Sequence, residues 1–243
     1  MEIEGQRYYV FTDDAHTPAD IGGFVNTCRL PQGAELGAEL DLRFPDGLNL
    51  PYAPQAFDIS FGGLSLSGEV NRNLMPLLYR YPQMPMADYA SSVLMPDLRR
   101  SLVRQVREQL GDKPKLEAVN TLLHYIQSGF SYATDEEQHG FEKPYFLEET
   151  LYYPKCDCED RAIMYGYLLS QALGVENHLI FYPGHESVAL TLDGHDGEQP
   201  EGDNYAYKGK RFLISDPTFI GSATGQCMPQ YKTTTPKIDY IYK

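Results

Sequence analysis

An α+β fold is predicted by the order in which hydrophobic periodicities follow one another along this chain. Strand-like alternation fills residues 1 to about 70, two amphipathic helical repeats follow, and groups of strand-like residues lie beyond a third helical stretch. Residues 1–70 read as a small N-terminal β unit. Residues 71–243 read as a helical segment leading into a core in which one helix packs on an antiparallel sheet.

Each element has its own local reason. Glu39–Phe44 and Ala56–Phe61 alternate apolar and polar residues and are punctuated by Pro45-Asp46-Gly47 and Gly62-Gly63, as half-buried strands and their turns are. Pro96-Asp97 opens a helix in which Leu98, Leu102, Val103, Val106 and Leu110 share one face, with Gly111 behind it. Lys113-Pro114 breaks the chain, and Leu116 to Ile126 forms a second amphipathic helix that closes near Gly129. Residues 130–157 carry tyrosines, phenylalanines and acids without a period and read as a long ordered loop, of the kind that is usually functional. Tyr132, Tyr145, Phe146, Tyr152 and Tyr153 in it are candidates for a substrate groove or, equally, for core packing. Ile163, Tyr167, Leu168, Ala172 and Leu173 return to helical spacing, and Gly174 stands at an αL stop. Beyond it Leu179–Tyr182 and Ser187–Leu192 read as strands, and Tyr205–Tyr207 and Arg211–Ile214 as a hairpin joined through Lys208-Gly209-Lys210.

The 243 residues, 42% of them apolar, are sufficient for an ordinary globular core. A net charge of −14, with no Lys/Arg cluster longer than a pair, argues against nucleic acid and anionic membrane surfaces as partners. No stretch approaches the ~20 apolar residues of a membrane span, and residues 1–15 lack the basic start and apolar run of a signal peptide. The four cysteines leave the redox compartment open, a Cys28–Cys227 pair included.

Chemistry concentrates in Cys156-Asp157-Cys158-Glu159-Asp160-Arg161-Ala162, then Gly184-His185-Glu186, then Ser215-Asp216-Pro217-Thr218. Nucleophilic cysteine catalysis needs a thiolate, a base within hydrogen-bond reach and a group that orients the base. Cys158 opens a helix, where the dipole and unpaired N–H groups are expected to lower a thiol's pKa, and its amide is a candidate oxyanion donor. His185 begins one strand and Asp216 ends another; as antiparallel neighbours they would meet at one sheet edge.

These elements resemble the Cys-x-Asp-x-Ala, His and Asp-Pro-Thr motifs of the transglutaminase-like branch of the papain-like cysteine enzymes. Phe130-Ser131-Tyr132, the acidic stretch at residues 135–140 and Glu148–Tyr153 are similar to a group of bacterial transglutaminase-like proteins of undefined substrate. The similarity spans roughly residues 85 to 231. It implies a papain-like, transglutaminase-like core with Cys158 as nucleophile, His185 as base and Asp216 as orienting residue, acting without a cofactor or metal on peptide or protein amides. In this superfamily a second polar group often assists the oxyanion, for which Gln127 and Gln138 are the candidates. The similarity also leans toward an extracytoplasmic location.

The activity it implies is a cysteine peptidase or amidase. The alternatives are a cross-linking transglutaminase and a catalytically silent binding or scaffold domain. Cys156 is an extra thiol, and Cys156, Cys158 and His185 or His178 offer zinc a thiolate and imidazole set, although one Cys-x-Cys pair is less than a structural site normally uses. Asp193-Gly194-His195-Asp196-Gly197-Glu198 has the alternating acids and glycines of a calcium loop but lacks the terminal bidentate glutamate, so a polar connection is the simpler reading.

Overall fold

A computed structural model describes residues 2–3, 6–7, 50–195 and 200–242 of the chain. Two compact units meet in sequence at Asn49/Leu50. In the first, the described residues are the strands β1 (Glu2–Ile3) and β2 (Gln6–Arg7), an antiparallel pair. The strand expected at Glu39–Phe44 lies outside the described residues, as do Cys28 and residues 196–198 of the Asp193–Glu198 loop.

The second unit is α+β. It opens with a hairpin of β3 (Pro54–Phe61) and β4 (Leu64–Asn71), in which Phe61 faces Leu64. Gly62 and Gly63 turn the chain with φ +59° and +89°, the two left-handed residues of a type I′ turn. Although sequence grouped this hairpin with the N-terminal β unit, it packs within the second unit. Leu64, Leu66 and Val70 bury one face of β4 against α3 (Pro96–Leu110), whose Leu98, Leu102, Val106 and Leu110 face inward as their spacing predicts. Two α3 glutamines four residues apart complete the edge of β4. Gln105 bonds both backbone groups of Ser67 at 3.0 and 2.9 Å, and Gln109 those of Ser65 at 3.0 and 2.8 Å. An open strand edge is thereby closed by side-chain amides.

Short helices α1 (Met75–Tyr79) and α2 (Met86–Ser91) precede α3, and α4 (Lys115–Gly129) follows it. Residues 130–157 are not the loop that sequence predicts. They contain β5 (Ser131–Tyr132) paired parallel to β6 (Lys155–Cys156), with α5 (Asp135–His139) and α6 (Leu147–Tyr152) between them. Helices of five and six residues are too short to show a period. Their capping is nonetheless visible: Thr134 Oγ1 accepts the Glu137 N–H at 3.4 Å, and Glu137 Oε2 accepts the Thr134 N–H at 3.2 Å.

The last helix, α7 (Cys158–Leu168), runs into a π-helical turn at Leu169–Leu173 and stops at Gly174, φ +65°, as expected. It packs on an antiparallel sheet ordered β11-β7-β8-β10-β9, made of β7 (Asn177–Tyr182), β8 (His185–Leu190), β9 (Asn204–Tyr207), β10 (Lys210–Ser215) and β11 (Lys237–Tyr242). β11, not anticipated from sequence, borders β7 and brings Tyr242 onto α7, where its hydroxyl donates to the Ile163 carbonyl at 3.3 Å. No described helix is long and apolar enough to cross a membrane.

Gly166 is where α7 and the sheet come closest. A methyl group there would stand 2.5 Å from the Tyr242 ring and 2.9 Å from Asn177 Oδ1. Both neighbours are buried, so neither can move aside freely. Gly166→Ala is expected to lower stability by about 1–3 kcal/mol through overpacking, despite alanine's better helix propensity; a denaturant midpoint equal to wild type would show that the tyrosine yields.

Candidate active site

Cys158 is the first residue of α7, and the motif behind it is what fixes that position. Asp160, fully buried, accepts the Asp157 N–H at 3.3 Å through Oδ2 and the Tyr145 N–H at 2.8 Å through Oδ1, tying the helix start to the segment entering α6. Arg161 donates to the carbonyls of Gln127 (3.2 Å) and Phe130 (2.6 Å) at the C-terminal end of α4, where carbonyls lack helical partners and a cation is favoured. Asp160 and Arg161 therefore position the nucleophile candidate without touching it.

His185 is delivered by a two-residue turn. Tyr182 pairs with His185 across β7 and β8, and Pro183-Gly184 lies between them with Gly184 at φ +74°, the pattern of a type II turn. β10 runs antiparallel to β8 with Ser215 opposite Val188, so Asp216, one residue further, returns to the edge where His185 starts. His185 Nε2 and Asp216 Oδ2 are 2.8 Å apart and both residues are buried. Asp216 Oδ1 accepts the N–H groups of Thr218 (2.8 Å) and Phe219 (3.2 Å), an Asx-type turn that fixes the carboxylate. The ring of Tyr231 lies parallel to the imidazole at 5.3 Å and 5°, and stacks on Tyr182 at 4.7 Å on its own account.

Gln127 and Gln138 are not oxyanion donors in this arrangement. The Gln127 amide nitrogen donates to the carbonyls of Asp216 (3.0 Å), Phe219 (2.8 Å) and Ser222 (3.2 Å), while its oxygen accepts the Gly221 N–H at 3.2 Å. It stands behind the Asp216 turn and holds it. Gln138 donates to the Ala133 carbonyl at 3.4 Å, and neither side chain lines the cavity that holds Cys158. Gln127's role had no sequence signal, because 89 residues separate it from Asp216.

Cys158 and His185 open into one cavity of about 420 Å³. Half of its 14 lining residues are acidic (Asp135, Glu136, Glu142, Asp157, Glu159, Glu186 and Asp239) and none is Lys or Arg. Of the five aromatic groove candidates only Tyr132 reaches this wall; Tyr145 is fully buried. The thiol donates to Glu159 Oε2 at 3.1 Å rather than to His185. Burial first, and then the charge of Glu159, raise the Cys158 pKa above that of an ordinary thiol, against a weaker pull from the Glu186 N–H. This runs against the expectation of a depressed thiol: burial, with the charge of Glu159 behind it, opposes the half charge of a helix terminus. Burial also pushes Glu186 to about 9 and Asp135 to about 7.

Cys156 is fully buried in the core, where burial pushes its thiol up to about 12. It does not line the cavity, so the zinc set Cys156, Cys158 and His185 is not brought together. His178 bonds Tyr205 and His124 bonds Gln127, both structural. No protein-family model and no curated protein matches this chain.

Glu159→Gln removes a negative charge that favours the protonated thiol, so alkylation of Cys158 by iodoacetamide at pH 8 is expected to accelerate by up to ~10-fold, one pKa unit of relief. Mass spectrometry should find Cys156 unmodified in the same sample. An unchanged Cys158 rate would mean that burial alone sets its reactivity. Gln127→Leu leaves the carbonyls of the Asp216 turn without their donor and is expected to cost about 1–3 kcal/mol, read as a lowered denaturant midpoint; no loss would mean that water replaces the amide.

Proposed function

We propose that this chain is a cysteine-dependent acyl-transfer enzyme acting on peptide or protein amides, most simply a peptidase or amidase, with Cys158 as nucleophile, His185 as base and Asp216 as the residue that orients it. The observation that carries this reading is the 2.8 Å His185–Asp216 contact, buried at the wall of the cavity into which Cys158 opens. The similarity of Cys158–Ala162, Gly184-His185 and Asp216–Thr218 to transglutaminase-like motifs supports it. On this reading the packing of α7 on the antiparallel sheet is the papain-like, transglutaminase-like core.

Asp216 accepts the His185 Nε2 proton and fixes the tautomer, leaving Nδ1 with its lone pair. As substrate enters, the thiol turns from Glu159 and gives its proton to Nδ1 while sulfur bonds the amide carbon. Collapse of the tetrahedral intermediate breaks the C–N bond, and His185 passes the proton to the departing amine. Water then attacks the thioester, loses a proton to His185, and the sulfur leaves and recovers that proton. The Cys158 backbone N–H, unpartnered at a helix start, is the nearest candidate for the oxyanion. No cofactor enters these steps.

The acidic wall favours a cationic group near the thiol: a basic side chain of a substrate peptide or, for the cross-linking alternative, an acceptor amine. A silent binding domain draws its support from the thiol's hydrogen bond to Glu159 and its raised pKa.

A library of basic, neutral and acidic peptides incubated with the protein, with and without a fluorescent primary amine, separates these readings. Hydrolysis of basic members is expected, with activity falling at least ~10³-fold in Cys158→Ala and His185→Ala, and intact-mass detection of a thioester on Cys158. Incorporation of the amine in preference to hydrolysis would make it a cross-linking enzyme. Neither turnover nor a thioester with any member would favour the binding domain.

A further inference from the structure

The carboxylates beside Cys158 are arranged in a way that the acyl-transfer steps do not use. Asp135 begins α5, Asp157 precedes α7 and Glu159 follows Cys158, yet one oxygen from each lies within 4.8 Å of the other two. The three residues are only 2%, 7% and 5% exposed. In two of them one oxygen is occupied: that of Asp135 by the Lys143 N–H and that of Glu159 by the Cys158 thiol. Asp135 Oδ1, Asp157 Oδ1 and Glu159 Oε1 are buried without an N–H or hydroxyl partner, and Asp157 and Glu159 lie close enough to share a proton.

Buried carboxyl oxygens left unpaired are costly, and three so close favour a proton or a cation between them. The nearby cations are committed elsewhere. Lys143 Nζ bonds Glu149 at 2.9 Å and the Pro144 carbonyl, and Arg161 caps α4. Three buried carboxyl groups, each able to bring an oxygen within 4.8 Å of the others, can form part of a coordination shell for a cation that takes hard oxygen ligands, with water completing it from the cavity.

We propose that Asp135, Asp157 and Glu159 hold a hard divalent cation of the Ca²⁺, Mg²⁺ or Mn²⁺ class at the start of the nucleophile helix. The proposal concerns the same cavity as the acyl-transfer reading but does not depend on it: a silent domain with the same three oxygens would bind the same ion. The ion would join α5 to α7 across residues 135–159 and occupy the wall next to the thiol.

The test is isothermal titration calorimetry of the chelator-treated full chain with each of these metals, and separately with Zn²⁺. One equivalent is expected with a Kd of ~10⁻⁵ to 10⁻³ M for at least one of the three hard ions. Glu159→Gln and Asp135→Asn should each weaken it at least ~10-fold with the circular dichroism spectrum retained, whereas Asp239→Asn, in the same wall but outside the trio, should leave it unchanged. If a trio variant fails to fold, the other decides. The proposal is overturned by the absence of binding at ~10 mM of every hard ion, by binding that survives both trio substitutions, or by binding of Zn²⁺ alone that is lost in Cys158→Ser. The last result would assign the metal to the thiol, and peptide turnover measured in parallel would still stand or fall by itself.

Discussion

Helix α7 is walled in on every side, and that burial is the constraint from which the rest of the second unit follows. Every residue from Glu159 to Leu168 is buried, including Glu159, Asp160 and Arg161, which are rarely placed so deep. A helix with no solvent face cannot rotate or slide to suit its neighbours. The sheet must come to it, which it does closely enough at Gly166 to leave no room for a methyl group. Asp160 and Arg161 turn the same burial into position, since Asp160 bonds the backbone of Tyr145 and Arg161 that of Gln127 and Phe130. Cys158 is held at the one end of α7 that faces open space.

Around that end the backbone and the side chains pull in opposite directions. The helix terminus offers partial positive charge, while Asp157 and Glu159 place carboxyl groups at the two flanking positions, and Glu186 and Asp239 add theirs from the sheet, burial favouring the protonated form of each. The result is a thiol whose protonated form is favoured, first by burial and then by Glu159. An acidic cavity is an unusual setting for thiolate chemistry, so on the acyl-transfer reading what fills the cavity matters to reactivity as much as the histidine.

Much of this was legible from residue order. Leu98, Leu102, Val106 and Leu110 gave away α3, the Gly174 stop was visible, and His185 and Asp216 were expected at one sheet edge from the strands they bound. These are regularities that repeat within a few residues, which sequence patterns report well. Three kinds of feature were not legible. α5 and α6 are shorter than two full turns of recurring pattern, although the Thr134–Glu137 cap was there to be read. β11 owes its existence to a partner about sixty residues earlier, β7, and Gln127 owes its role to a turn still further away. The electrostatic balance at Cys158 depends on α5 folding back beside α7, and spacing along the chain contains no trace of that.

The stack of Tyr231 on His185 has a consequence for how a proton can travel. With one aromatic face lying flat against the imidazole and Asp216 gripping Nε2, the ring cannot flip to exchange its two nitrogens without breaking both contacts. On the acyl-transfer reading, a proton taken up at Nδ1 must depart from Nδ1, so arrival and departure share one doorway. Direction in such a site comes from the order in which molecules occupy the doorway, and Tyr231, contributed by a short 3₁₀ turn at Pro229–Tyr231, is the residue that keeps it single.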